Sequence, residues 1–204
     1  MTVAEILKRV HRKFAKDTDY PETGSEDILV RIDHLNDGIG EWEGKVREGI
    51  YWPELISDTP MTLGGSGTDA FPSDFLAFYL KNNEDDDASA ITIGNNVWVE
   101  VTPAQGNIAI QEGMSPYVYW KEGKNLRTLP AISGTIPYLR KATRYTTGEE
   151  STEPEMADHS FLEDYTVAKV FLDNSDDTLY TVNANSASDK LDAMTYQAIS
   201  TASE

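Results

Sequence analysis

The chain has 204 residues, is 39% hydrophobic, contains no cysteine and carries a formal net charge of −18. Zero cysteines exclude disulfides, thiol nucleophiles and thiolate-held zinc or iron–sulfur sites. The length fits one domain, or one domain with a substantial insertion, and the apolar content suffices for a core. No apolar run reaches the roughly 18 residues a membrane span needs, so no membrane role is expected. The opening MTVAEILKRVHRKF lacks the apolar h-region of a signal peptide, which leads us to expect a protein made in a cytoplasm.

The charge is unevenly placed. Of the 17 basic residues, Lys8, Arg9, Arg12, Lys13 and Lys16 fall in the first sixteen positions, against Glu5 alone of the 35 acidic ones. A nucleic-acid-binding protein usually shows a dominant basic face, and the body of this chain is the reverse. Such a surface repels DNA, and it also serves plain solubility.

In chain order, Thr2 with Glu5 has capping-box spacing, and Ile6, Val10 and Phe14 follow at steps of four. A first helix is predicted at 2–16, then a loop through Tyr20-Pro21 and Gly24. From Ser25 to Arg47, the residues Ile28, Ile32, Leu35, Ile39, Trp42 and Val46 are spaced 4, 3, 4, 3, 4, which predicts a helix over 25–47 with one apolar stripe. Ser25 is its candidate N-cap, with Glu26 and Asp27 in the first turn. A rod of this length, roughly 33 Å at 1.5 Å per residue, reads as the central element of a bundle. Gly40 and Gly44 lie off the stripe at G-x-x-x-G spacing, which would let another backbone come close.

Residues 57–70 contain Gly-Gly-Ser-Gly and read as a flexible loop. The period then changes from 3.6 to 2. Short strands are predicted at 75–80, 90–93, 97–101, 107–110, 117–120, 126–129 and 135–139, with a hairpin turn at 122–125. They make an antiparallel β-insertion over 71–146. Helical periodicity returns at Phe161, Leu162, Tyr165, Ala168 and Leu172, for a helix over 158–173. A last helix, at 176–199, carries a weak stripe of Tyr180, Ala184, Ala187, Leu191, Met194 and Ala198. The expected fold is therefore α+β: a discontinuous four-helix bundle of 1–56 plus 147–204, interrupted by the β-insertion.

Chemistry is sparse. His11, His34 and His159 show no metal-ligand spacing, and His34 reads as a helix-surface residue. The acidic runs at 84–87 and 173–177 lack the alternate spacing and distal glutamate of a calcium loop. G-x-S-x-G fails at Thr68, and no phosphate-cradling loop occurs. Trp98 and Trp120 could line a sugar groove, although their alternation with Val and Tyr favours a sheet core. No catalytic, cofactor or metal residue is named.

In this order, several phrases resemble those of tailed-bacteriophage head–tail adaptors, the connector proteins beneath the portal ring. They are IDHLNDGIGEWE at 32–43, Phe71-Pro-Ser-Asp-Phe75, the hairpin at 117–126, Glu153-Pro-Glu-Met-Ala-Asp158 and the helix from Phe161 to Leu172. The resemblance implies a non-enzymatic virion protein of the neck, assembled in the host cytoplasm as a homo-oligomeric ring of twelve. It would bind the portal protein on one side and a downstream neck or tail protein on the other, and pass DNA without binding it. The segment from Thr181 to Glu204 would dock on the portal. The alternatives are another neck or tail ring protein, such as a stopper or nozzle, or a carbohydrate-binding protein. The interface residues we select are Lys8, Arg9, Arg12 and Lys13 against an acidic neighbour, Gly40 and Gly44 at a close helix approach, and Leu191 and Met194 on the weak stripe.

Overall fold

A computed structural model describes residues 1–16, 19–22, 24–79, 90–114 and 116–202, so the acidic run at 84–87 lies outside the described residues. The elements are α1 (Val3–Ala15), α2 (Glu26–Gly44), β1 (Met61–Gly64), β2 (Thr68–Ala70), β3 (Phe75–Phe78), β4 (Ala90–Ile93), β5 (Asn96–Glu100) and α3 (Pro103–Gln111). They continue with β6 (Val118–Glu122), β7 (Asn125–Leu129), β8 (Ser133–Ile136), β9 (Tyr138–Arg140), α4 (His159–Asp173) and α5 (Asp177–Ala202). The chain forms two compact units, one of residues 1–54 and 142–204 and the other of residues 55–141.

The first unit holds the four long helices. Thr2 and Glu5 close the expected capping box on α1, with Thr2 N donating to Glu5 Oε2 at 2.9 Å. All six residues of the α2 stripe are buried. Ser25 stands at the N-cap of α2, yet its hydroxyl makes no capping bond. Past Gly44 the helix tightens into a 3-10 turn, Lys45–Glu48, which still buries Val46. Trp52 then folds back and its Nε1 donates to the Trp42 carbonyl at 2.9 Å.

The organising helix is α4 rather than α2. It packs against α1, α2 and α5, while α1 and α2 touch one another only slightly. Nine of its fifteen residues are buried, including Glu163, Asp164 and Thr166. A helix apolar along one stripe needs one neighbour; one buried on most sides is a core element. Because α1 and α2 rest on a helix more than a hundred residues later in the chain, the two ends form one core. Residues 142–146, expected in the β-insertion, belong here as well. Asn36 on α2 takes Tyr145 in two bonds, Nδ2 to the Tyr145 carbonyl and Oδ1 from its N–H, both 2.8 Å. The Ala142 N–H is likewise accepted by Glu43 Oε2 at 2.8 Å.

In the second unit, a five-stranded sheet has the order β2-β7-β6-β5-β4, and β1-β8 and β3-β9 form two further pairs. Its core includes Leu63, Phe78, Ile93, Trp98, Tyr119 and Leu126. The hairpin at 122–125 is present, with Glu122 opposite Asn125 and Gly123 at φ 60°, the glycine-first pattern of a II′ turn.

Three expectations fail in this unit. Residues 107–110 are helical: Thr102 caps α3, Pro103 takes its first position and the Gln105 side chain returns to Thr102 N at 2.9 Å. That helix is the crossover between β5 and β6, which makes their pairing parallel within an otherwise antiparallel sheet. The stretch 57–70 is not a flexible loop, since β1 alternates buried Met61 and Leu63 with exposed neighbours and pairs with β8. Only the tip between β1 and β2 follows the glycine-rich reading, and Asp69 Oδ1 ties it down by accepting Gly64 N at 2.7 Å.

Candidate functional site

The strongest side-chain constellation is a charged node that α4 presents to α1 and α5. Lys13 Nζ lies 2.7 Å from both Glu163 Oε1 and Asp164 Oδ1. From α5, Lys190 Nζ reaches Asp164 Oδ2 at 2.5 Å, and Ser186 Oγ donates to the same oxygen at 2.6 Å. Arg9 stands 3.5 Å from Glu163 Oε2. Burial pushes the Asp164 carboxyl up, but the bonds from Lys13, Lys190 and Ser186 outweigh it and hold the group below its ordinary range. Burial likewise pushes Lys13 down, and its two carboxylate partners more than reverse this. An acid held ionised on both oxygens is neither a proton donor nor a base near neutrality. The node is a clamp across three helices.

The histidines are also tied. His34 Nε2 lies 2.6 Å from Asp173 Oδ2, joining α2 to the end of α4. The His159 Nε2–H donates to the Pro154 carbonyl at 2.9 Å. Arg31 Nη1 lies 3.0 Å from Nδ1 of the buried His11, and since the guanidinium can only donate, Nδ1 accepts. Among the described residues, no three His, Asp or Glu side chains are grouped as metal ligands, and no helix is long and apolar enough to cross a membrane.

The selected interface residues separate. Lys13 and Arg9 do meet acidic partners, but these are Glu163 and Asp164 of the same chain. Lys8 lies 5.9 Å above the Tyr20 ring, and Arg12 is exposed. Within the chain, the close helix approach falls not on Gly40 or Gly44 but on Gly38. A Cβ on Gly38 would sit 3.0 Å from Tyr165 Cδ1 and 3.1 Å from Leu162 Cδ2, whereas one on Gly44 would meet nothing within 4 Å. Stripe geometry explains the difference: Gly38 precedes Ile39 on the side facing α4. Leu191 and Met194 are buried on the inner face of α5.

Two grooves border α5. One of about 290 Å³ runs between α4 and α5, with Tyr165, Lys169 and Tyr180 among its walls and Ala184 and Ala187 in its lining. The other, of about 280 Å³, is lined by Trp42, Trp52, Pro53, Met194 and Ala198 among others. The outer side of α5 carries exposed Val182 and Tyr196, at 60% and 76%.

In the second unit, Trp98 and Trp120 are 0% and 1% exposed, so neither offers a face to a sugar. Trp120 is covered by α3 at Gly106, where a Cβ would lie 2.6 Å from Trp120 Cε3. The capping box Thr102-x-x-Gln105 was the sequence signal for that helix; the period-2 run Asn107-Ile-Ala-Ile110 concealed it. No protein-family model matches the sequence, and no curated protein matches it either.

Proposed function

We propose that this chain is a structural component of a tailed-phage neck, a head–tail adaptor that assembles into a ring between the portal protein and the next neck or tail component. One observation carries the reading. Helices from the two ends of the chain share one core around α4, and the intervening residues fold as a separate β-unit. That arrangement accompanies the phrase resemblance at 32–43, 71–75, 117–126, 153–158 and 161–172. The net charge of −18 suits a channel wall along which DNA passes without adhering. The exposed apolar residues of α5 suit a segment completed by the portal.

The protein on this reading is non-catalytic, resides in the virion neck and is assembled in the host cytoplasm. The direct experiment is deletion of the gene in the phage that encodes it. The reading expects DNA-filled heads without tails, and purified wild-type virions that contain the chain. Normal tailed particles from the deletion, or virions free of the chain, would defeat it. A stopper or nozzle ring is the second reading, separated by whether crosslinks run to portal or tail protein. The carbohydrate-binding alternative loses its support because both sheet tryptophans are buried.

A further inference from the structure

Two charge stripes of the helical unit, apart from the Arg9–Glu163 contact, form no ion pair with another described residue. On α1, Lys8 and Arg12 stand one turn apart, with Arg9 beside them and Lys16 at the C-cap, all exposed. Lys8 lies over the Tyr20 ring, and none of Lys8, Arg12 and Lys16 forms an ion pair with a described residue. On α2, Asp33, Asp37 and Glu41 follow at steps of four along the exposed side, again without an ion pair to a described residue. Lys45 feels Glu41, but it is committed to Glu48 at 2.9 Å. Positions 8 to 16 and 33 to 41 span equal lengths, roughly 12 Å of helix each. The stripes thus match in length and spacing and are opposite in sign. No ion pair joins α1 to α2 among the described residues.

We propose that the α1 stripe of one copy docks on the α2 stripe of a second copy, head to tail. In a chain with 35 acidic residues and 17 basic ones, copies repel across most of their surface, and approach is favoured where this cationic helix meets an anionic one. The contact uses two different surfaces, so each added copy leaves one stripe of each sign open, and the series closes as a ring or grows. This deepens the ring reading by naming its subunit contact. Its test reads self-association of the purified chain, which is separate from whether virions contain it.

The test uses the full-length protein and two double variants, Lys8→Glu with Arg12→Glu, and Asp37→Lys with Glu41→Lys, in sedimentation velocity. Wild type is expected to self-associate at about 0.05 M salt and to weaken at least ~10-fold at about 0.5 M, where the screening length falls severalfold. Each variant alone, with helical circular dichroism unchanged, is expected to associate at least ~100-fold more weakly because like charges now face each other. An equimolar mixture of the two variants restores assembly, since a reversed α1 then meets a reversed α2. A monomeric wild type at low salt, salt-independent association, or a mixture that stays dissociated would each overturn the proposal. So would capture of DNA by the α1 stripe without self-association.

Discussion

Helices α4 and α5 are consecutive, antiparallel in sequence logic and packed on each other, yet they are built to opposite rules. The shorter α4 buries nine of fifteen residues, two of them carboxylates. Among the described side chains of the longer α5, only Ala187, Leu191 and Met194 are buried, and Leu179, Val182, Tyr196 and Ile199 are exposed. The difference lies in the number of close neighbours: α4 packs against three helices, whereas α5 packs chiefly against α4. Apolar content alone does not separate the two; the polar residues do. Glu163 and Asp164 tolerate burial because cations from α1 and α5 converge on them.

The comparison breaks hardest at Asp164. Asp164→Ala removes the carboxylate shared by Lys13, Lys190 and Ser186, three charge-assisted bonds at once, and a loss of about 3 kcal/mol is expected in urea unfolding. The same node sets a pH limb. The Asp164 pKa is depressed in the folded chain, so its contribution is complete above the ordinary Asp range and is lost as pH falls through the lower folded value. Acid unfolding of Asp164→Asn should therefore be shallower than that of wild type, and equal slopes would remove Asp164 as the cause.

Next in size is Gly38→Leu, which drives a side chain into Tyr165 and Leu162 and is expected to cost about 2–3 kcal/mol by overpacking. Leu191→Ala, on the buried side of α5, should cost about 2 kcal/mol. Gly44→Ala meets open space at the last helical position of α2 and is expected to stabilise by up to roughly 1 kcal/mol. Smallest is Val182→Ser on the outer side of α5, expected within about 0.5 kcal/mol of wild type in the isolated chain. A large effect there would mean that α5 is already covered.

These contrasts mark how far the sequence was legible. The α2 stripe, the α1 capping box and the helical return after Pro154 follow from local spacing, and each is present. The β-insertion was legible as a run of alternating segments with a hairpin at 122–125. What local spacing does not encode is partner count, and so α2 read as the central helix in place of α4. Helix α3 was missed because four alternating residues outweighed a cap five positions earlier, and the parallel β5–β6 pair was missed with it. Gly38 lacked the G-x-x-x-G spacing that drew attention to Gly40 and Gly44, although its place beside the stripe was visible. The clamp ties Asp164 to Lys13, 151 residues earlier in the chain, and no periodicity announces such a meeting.

The proposed place of this chain is the joint between a phage head and its tail. Gold-labelled antibody against the purified protein, applied to intact and tail-sheared particles, locates it directly. The account expects label confined to the head–tail junction and retained on sheared heads; label on the capsid shell or tail tip, or none on any particle, would contradict it.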